Sequence, residues 1–133
     1  MDKLEYIPGD FISVYVGVKK YIVEVIGTEN ENEVLSYQIK FPTGEIQYAD
    51  KDNIVPIPLT PEILEKNGWK NDGYDWYKLP TKRAYLYITK DIITLGEFLV
   101  CVGLDRHNLA SINFVHQLQH ILFGLRLNSE MEV

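Results

Sequence analysis

The amino-acid sequence predicts an α+β protein: a run of short antiparallel strands, then a small antiparallel sheet covered by a C-terminal helix. Three observations carry this expectation. Apolar and polar residues alternate through most of the first half, as on half-buried strands. Turn-forming groups, Pro42-Thr43-Gly44, Asp50–Asn53 and Asn71-Asp72-Gly73, punctuate that alternation. Sustained helical periodicity is confined to residues 112–126, near the end of the chain.

The elements follow in order. Phe11–Val18 places Ile12, Val14, Val16 and Val18 on one face. Tyr21–Ile26 makes the next strand, ending at Gly27, and the polar stretch Thr28–Glu33 reads as a solvated loop. Val34–Phe41 alternates cleanly, with Leu35, Tyr37, Ile39 and Phe41 inward. Pro42-Thr43-Gly44 turns the chain, because Pro fixes φ and Gly accepts a positive φ. Glu45–Ala49 returns, Asp50–Asn53 turns again, and Ile54–Ile57 closes the series. This pattern over residues 9–57 resembles an SH3-like or Tudor-like barrel. The resemblance implies a fold and no particular function, since such barrels host many roles.

Residues 59–133 form the expected second lobe, after an SH3-like barrel over 1–58. Pro56 and Pro58 stiffen the link. Thr60 is a good N-cap and Pro61 suits the first helical position, predicting a short helix over 61–67 that ends at Asn67-Gly68. Tyr74–Leu79, Arg83–Lys90 and Ile92–Val102 supply the second sheet, and Asp105–Ser111 is a polar connector. In the last helix, Phe114, Val115, Leu118, Ile121, Leu122 and Leu125 fill one arc, the face expected to cover that sheet.

Composition narrows the function. Across 133 residues, 46% hydrophobic content provides ample core material and argues against disorder. The net charge of −6 sits mostly in residues 1–58, where five Lys and no Arg face ten acids; residues 59–133 hold eight bases against nine acids. An acidic first half repels phosphates, so duplex nucleic acid is not an expected partner. Cys101, in the apolar run Phe98–Val102, reads as a buried inert thiol. Neither a secretory leader nor a membrane span is expected, which points to a cytoplasmic protein.

Two clusters qualify as candidate sites. Trp69, Tyr74, Trp76 and Tyr77 gather near Lys78, Lys82 and Arg83. Rings beside cations can stack on and neutralise a nucleotide, so Trp76, Tyr77, Lys78, Lys82 and Arg83 are the candidate ligand residues. The bland alternative is that the rings fill a small core. His116 and His120, four apart, share a helical face. That is metal-ligand spacing, but Gln117 stands where a zinc-protease helix needs its Glu, and no third ligand is evident. His116, Gln117, His120 and Phe123 instead read as a subunit contact, opposite the core arc. The alternative there is that Phe123 is covered by the N-terminal strands. Tyr15, Tyr21, Tyr37 and Tyr48 are possible cage residues that no pattern singles out. A phosphate-binding Gly-rich loop, a Cys–His pair and a nucleophile elbow are all missing, so neither catalysis nor a cofactor is expected.

Two phrases carry a further resemblance: Pro56-Ile57-Pro58-Leu59-Thr60-Pro61-Glu62-Ile63-Leu64-Glu65-Lys66-Asn67-Gly68-Trp69 and Val115-His116-Gln117-Leu118-Gln119-His120-Ile121-Leu122-Phe123. Together they resemble small uncharacterised proteins of Bacteroides-type gut phages and prophages. This sequence has Trp69 where those have Phe, and His120 where they have Asn. The resemblance implies a phage accessory protein acting in a bacterial host cytoplasm, and it lends no activity. The resulting expectation is a non-catalytic binder of a host protein or small ligand, acting in counter-defence, including sequestration of a nucleotide signal. The competing expectation is a metal-dependent or phosphodiester-acting enzyme using the His116/His120 face. Homo-oligomerisation is expected in either case.

Overall fold

The structure, a computed structural model, describes residues 6–31, 34–71, 73–79, 85–90, 97–103 and 105–133. The chain is α+β and divides into two compact units. The first holds residues 1–57, 114–131 and 133, and the second holds residues 58–113 and 132. Among the described residues no helix is long and apolar enough to cross a membrane.

In the first unit an antiparallel sheet is built from β1 (Phe11–Val16), β2 (Lys19–Glu31), β3 (Val34–Lys40), β4 (Ile46–Asp50) and β5 (Ile54–Val55), in the order β4-β3-β2-β1-β5. The alternation read from sequence sets the inner face: Ile12, Val14, Val23, Val25, Tyr37 and Ile39 are all buried. The sheet differs from the expectation in two places: β1 ends at Val16, so that Val16 and Val18 are exposed rather than on the inner face, and a predicted loop is strand. β2 continues through Thr28, Glu29 and Asn30, which pair in register with Tyr37, Ser36 and Leu35. Polarity marked these residues as a loop, yet a strand extension exposed to water needs only backbone pairing. A bulge between Val25 and Gly27 re-aims the strand, and a Cβ on Gly27 would stand 3.2 Å from the Gln38 side-chain oxygen.

The last helix, α2 (Val115–Gly124), belongs to this first unit, where it contacts β1. The expected role as cover for the second sheet is therefore corrected, and its start moves from 112 to 115. Buried Gln119 explains the placement. Its amide nitrogen donates to the carbonyls of Gly9 (2.9 Å) and Ser129 (3.0 Å), and its oxygen accepts from Phe11 N–H at 2.9 Å. A buried amide satisfied at both ends holds one register, because any other leaves polar atoms unpaired. Val115 N–H also donates to the Ile57 carbonyl at 2.9 Å. The first turn is closed by Gln117, whose side-chain oxygen accepts from Phe114 N–H at 3.1 Å.

The second unit opens with α1 (Pro61–Lys66), capped as the sequence predicts: Thr60 Oγ1 accepts from Ile63 N–H at 3.2 Å. Gly68 ends the turn at φ 90, a left-handed conformation that favours glycine. Leu64 and Trp69 are buried, so Trp69 is a packing residue. The sheet comprises β6 (Lys70–Asn71), β7 (Trp76–Leu79), β8 (Leu86–Lys90), β9 (Phe98–Val102) and β10 (His107–Ile112), ordered β10-β9-β8-β7-β6. β10 falls on the expected polar connector. It is an edge strand with a bulge between Asn108 and Ala110, and most of it is exposed, so it carries little apolar alternation.

Candidate functional site

Register decides which side chains of the second unit share a face, because directly opposed residues of antiparallel strands project to the same side. One row runs Lys70, Lys78, Tyr87, Cys101, Asn108; the next runs Trp76, Thr89, Leu99, Ser111. None of these strand residues is acidic. The opposite side carries Tyr77, Leu79, Leu86, Ile88 and Val100, where Leu86, Ile88 and Val100 are fully buried.

Aromatic rings and cations converge on the first side. The Arg106 guanidinium lies 4.5 Å from the Trp76 ring centroid and 4.5 Å from that of Tyr87. Those two rings meet edge to face at 6.3 Å. Lys78 Nζ stands 5.4 Å from the Tyr85 centroid and 5.9 Å from Tyr87. Each such contact contributes about 0.5–1 kcal/mol at an exposed site, more where desolvated. Arg106 holds its position at φ 54, with its N–H donating to the Gly103 carbonyl at 3.1 Å. A left-handed residue other than glycine costs roughly 1–2 kcal/mol, so this turn carries strain in order to place an arginine. The planar guanidinium against two rings forms a flat cationic surface that can itself be stacked upon.

Lys70 and Lys78 are register partners across β6 and β7, and neither forms an ion pair among the described residues. Like charges placed directly opposite destabilise a sheet by a few tenths of a kcal/mol up to about 1 kcal/mol. Burial raises the pKa of the Cys101 thiol on the same face, which fits an inert thiol; the Arg106 charge opposes that shift.

Of the predicted ligand residues, the structure brings Trp76 and Lys78 to this face. Tyr77 is corrected: it opposes Ile88 and so projects to the other side, because alternation separates it from both neighbours. Lys82 and Arg83 lie outside the described residues. Sequence reading missed Lys70, Tyr85, Tyr87 and Arg106. Tyr85 and Tyr87 fall in the predicted strand Arg83–Lys90, but only register joins Tyr87 to Lys78.

The first unit holds a second polar cluster. His120 Nε2 lies 2.7 Å from Asp10 Oδ2, which also accepts from Ile7 N–H at 2.9 Å. Asp10 is 2% exposed, and burial raises its pKa, against the opposing pull of the Ile7 hydrogen bond and of His120. His116 is buried, against the expectation of a surface contact. Its ring meets Tyr6 edge-on at 4.9 Å, stacks on Phe114 at 6.0 Å and meets His120 edge-on at 5.6 Å. Its Nδ1 has no hydrogen-bond partner among the described residues. Burial, with a smaller repulsion from His120, lowers the His116 pKa to about 4, so the ring is neutral at pH 7. Gln117 is occupied in capping, and Phe123 is 69% exposed, so the N-terminal strands do not cover it. No group of three or more His, Cys, Asp or Glu that could hold a metal ion occurs among the described residues.

The possible cage tyrosines separate. Tyr37 is core and Tyr21 packs edge-on against Phe41 at 5.8 Å. Tyr15 and Tyr48 line an open cleft of about 240 Å³ with Asp50 and Asn53.

Comparison with protein-family models, with curated proteins and with solved structures found no match.

Proposed function

We propose that this protein is a non-catalytic binder whose second unit captures a small, anionic, ring-bearing ligand of the nucleotide class. The observation that carries this reading is the placement of Lys78 and Arg106 over the rings of Tyr85, Tyr87 and Trp76 on a sheet face whose strand rows lack acids. In a protein of net charge −6, such a face is a local reversal of sign. Together with the resemblance to phage proteins, this points to counter-defence by sequestration of a nucleotide signal in the cytoplasm of a bacterial host, with a host protein as the other class of target. The first unit then serves as an SH3-like open barrel that carries α2, and the chain works as a homo-oligomer.

A thermal-shift screen of the full chain against purine and pyrimidine mono- and diphosphates tests the reading. Binding at a hundredfold excess over Kd adds about 2.7 kcal/mol of stability, which raises Tm by several degrees in a domain of this size. No shift with any nucleotide, or a shift equally large in Arg106→Ala, overturns it.

The Asp10–His120 pair favours a second reading, in which a carboxylate orients an imidazole for acid–base or metal chemistry. Metal analysis of the purified protein separates the two readings. Stoichiometric zinc or manganese that is lost in His116→Ala replaces the binding reading with a metal-dependent enzyme.

A further inference from the structure

Lys70 is the residue on the ligand face that neither the sequence pattern nor the ring contacts select, and it faces Lys78 directly across the β6–β7 ladder. Two ammonium groups on opposed positions, with Cβ atoms about 5 Å apart, repel unless something negative lies between them. Strand pairing elsewhere in this chain does the opposite: Glu24 opposes Lys40 across β2 and β3. A single carboxylate would leave one of two lysines uncompensated, whereas a diphosphate presents one phosphate group to each and offers several acceptor oxygens. Beside the pair lie Tyr85, with Lys78 Nζ 5.4 Å from its ring, and then the Arg106 plane seated on Tyr87 and Trp76. The face thus runs from a doubly cationic end to a flat, stackable end.

Resting on the binding reading above, we infer that Lys70 and Lys78 form a phosphate clamp, so that the ligand is a nucleoside diphosphate or a compound with the same two halves. The phosphates straddle the lysine pair and the base lies on the Tyr85–Arg106 shelf. Lys70 is then a specificity-determining residue: it distinguishes diphosphate from monophosphate, and phosphorylated from free nucleoside.

Titration calorimetry of the full chain with ADP, AMP, adenosine and inorganic pyrophosphate tests this. ADP should bind at least roughly tenfold tighter than AMP, since a second charge-assisted contact is lost in the monophosphate. Adenosine and pyrophosphate should each bind more weakly than ADP, because each occupies half of the face. Lys70→Glu replaces the repulsive pair with an attractive one. It should therefore weaken ADP at least about tenfold while Tm is unchanged or higher, which separates lost binding from lost folding. Lys70→Arg should retain ADP binding.

ADP affinity unchanged in Lys70→Glu, or AMP binding as tightly as ADP, overturns the clamp, and pyrophosphate binding as tightly as ADP overturns the shelf as the seat of the base. If Lys70→Glu leaves ADP binding intact while Trp76→Ala and Arg106→Ala abolish it, the clamp falls and the binding face stands. If no probe binds the unmodified protein, both fall.

Discussion

His120 and Asp10, separated by 110 positions in sequence, meet at 2.7 Å between Nε2 and Oδ2. This contact ties α2 to the turn that leads into β1. The carboxylate is almost wholly buried while the imidazole side chain is 34% exposed, so the two ends of the bond are not equivalent. Removing the imidazole strands a buried carboxylate that keeps the hydrogen bond from Ile7 N–H. Partial exposure of His120 lets water replace some of the loss, which sets His120→Ala at about 1–3 kcal/mol. Asp10→Ala removes the acceptor of two donors and should cost at least as much. Urea denaturation monitored by far-UV circular dichroism checks both, with Cm lowered at constant m.

Acidification should destabilise the first unit through His116. Its folded pKa of about 4 lies below the 6.5 of an unperturbed histidine. The unfolded chain therefore binds the extra proton first, and stability present above pH 6.5 is lost as pH falls toward 4. Complete loss amounts to roughly 3 kcal/mol by linkage. Asp10 works the other way, since its raised pKa favours the protonated carboxylic acid in the folded state as pH drops. The groups facing His116 are His120, Tyr6 and Phe114, and His120 adds repulsion to its protonation. Stability measured from pH 7 to 4 should fall in the unmodified protein and fall less in His116→Leu. Parallel curves for the two proteins contradict the assignment.

At position 106 two effects oppose each other, and substitution separates them. Arg106→Ala removes both ring contacts while keeping a left-handed residue with a Cβ, whereas Arg106→Gly removes the same contacts and relieves the backbone. Gly should therefore be more stable than Ala here by about 1 kcal/mol, although both should be less stable than Arg. Thermal melts of the three proteins decide it. An alanine variant as stable as glycine removes the argument from strain.

Strand positions in the first unit were legible where buried apolar residues follow a period-two pattern: Ile12 with Val14, and Tyr37 with Ile39. Thr60 and Pro61 similarly announced α1 through local capping chemistry. What escaped depends on contacts distant in sequence. Helix periodicity showed that α2 has an apolar stripe but not which unit would receive it, and the deciding residue, Gln119, is polar. His116 looked like a surface residue because histidine is amphipathic, yet its ring packs against Tyr6 and Phe114 and is buried. On the ligand face, Trp76 and Lys78 were visible as a local cluster. Lys70, Tyr87 and Arg106 join them only through register and through a turn after β9, neither of which leaves a local signal.

Phe123 carries the remaining prediction, that the chain self-associates through α2. The ring is 69% exposed on a helix that contains no acidic or basic side chain other than its two histidines. A lone exposed phenylalanine is unremarkable on a large surface. Here it stands on an uncharged helical face in a protein of net charge −6, where two copies can approach without the repulsion that the rest of the surface imposes. A two-fold axis beside Phe123 would place each ring on the partner's helix and satisfy both with one patch. His116 is buried and Gln117 is committed to Phe114, so of the four predicted contact residues Phe123 and the exposed edge of His120 are those able to take part. Light scattering at tens of micromolar should give a dimer mass for the unmodified chain and a monomer mass for Phe123→Glu. The variant's stability as a monomer should change by no more than about 0.5 kcal/mol, because an exposed side chain has little folding energy to lose. A monomer mass for the unmodified chain, or an unchanged dimer in Phe123→Glu, overturns this interface.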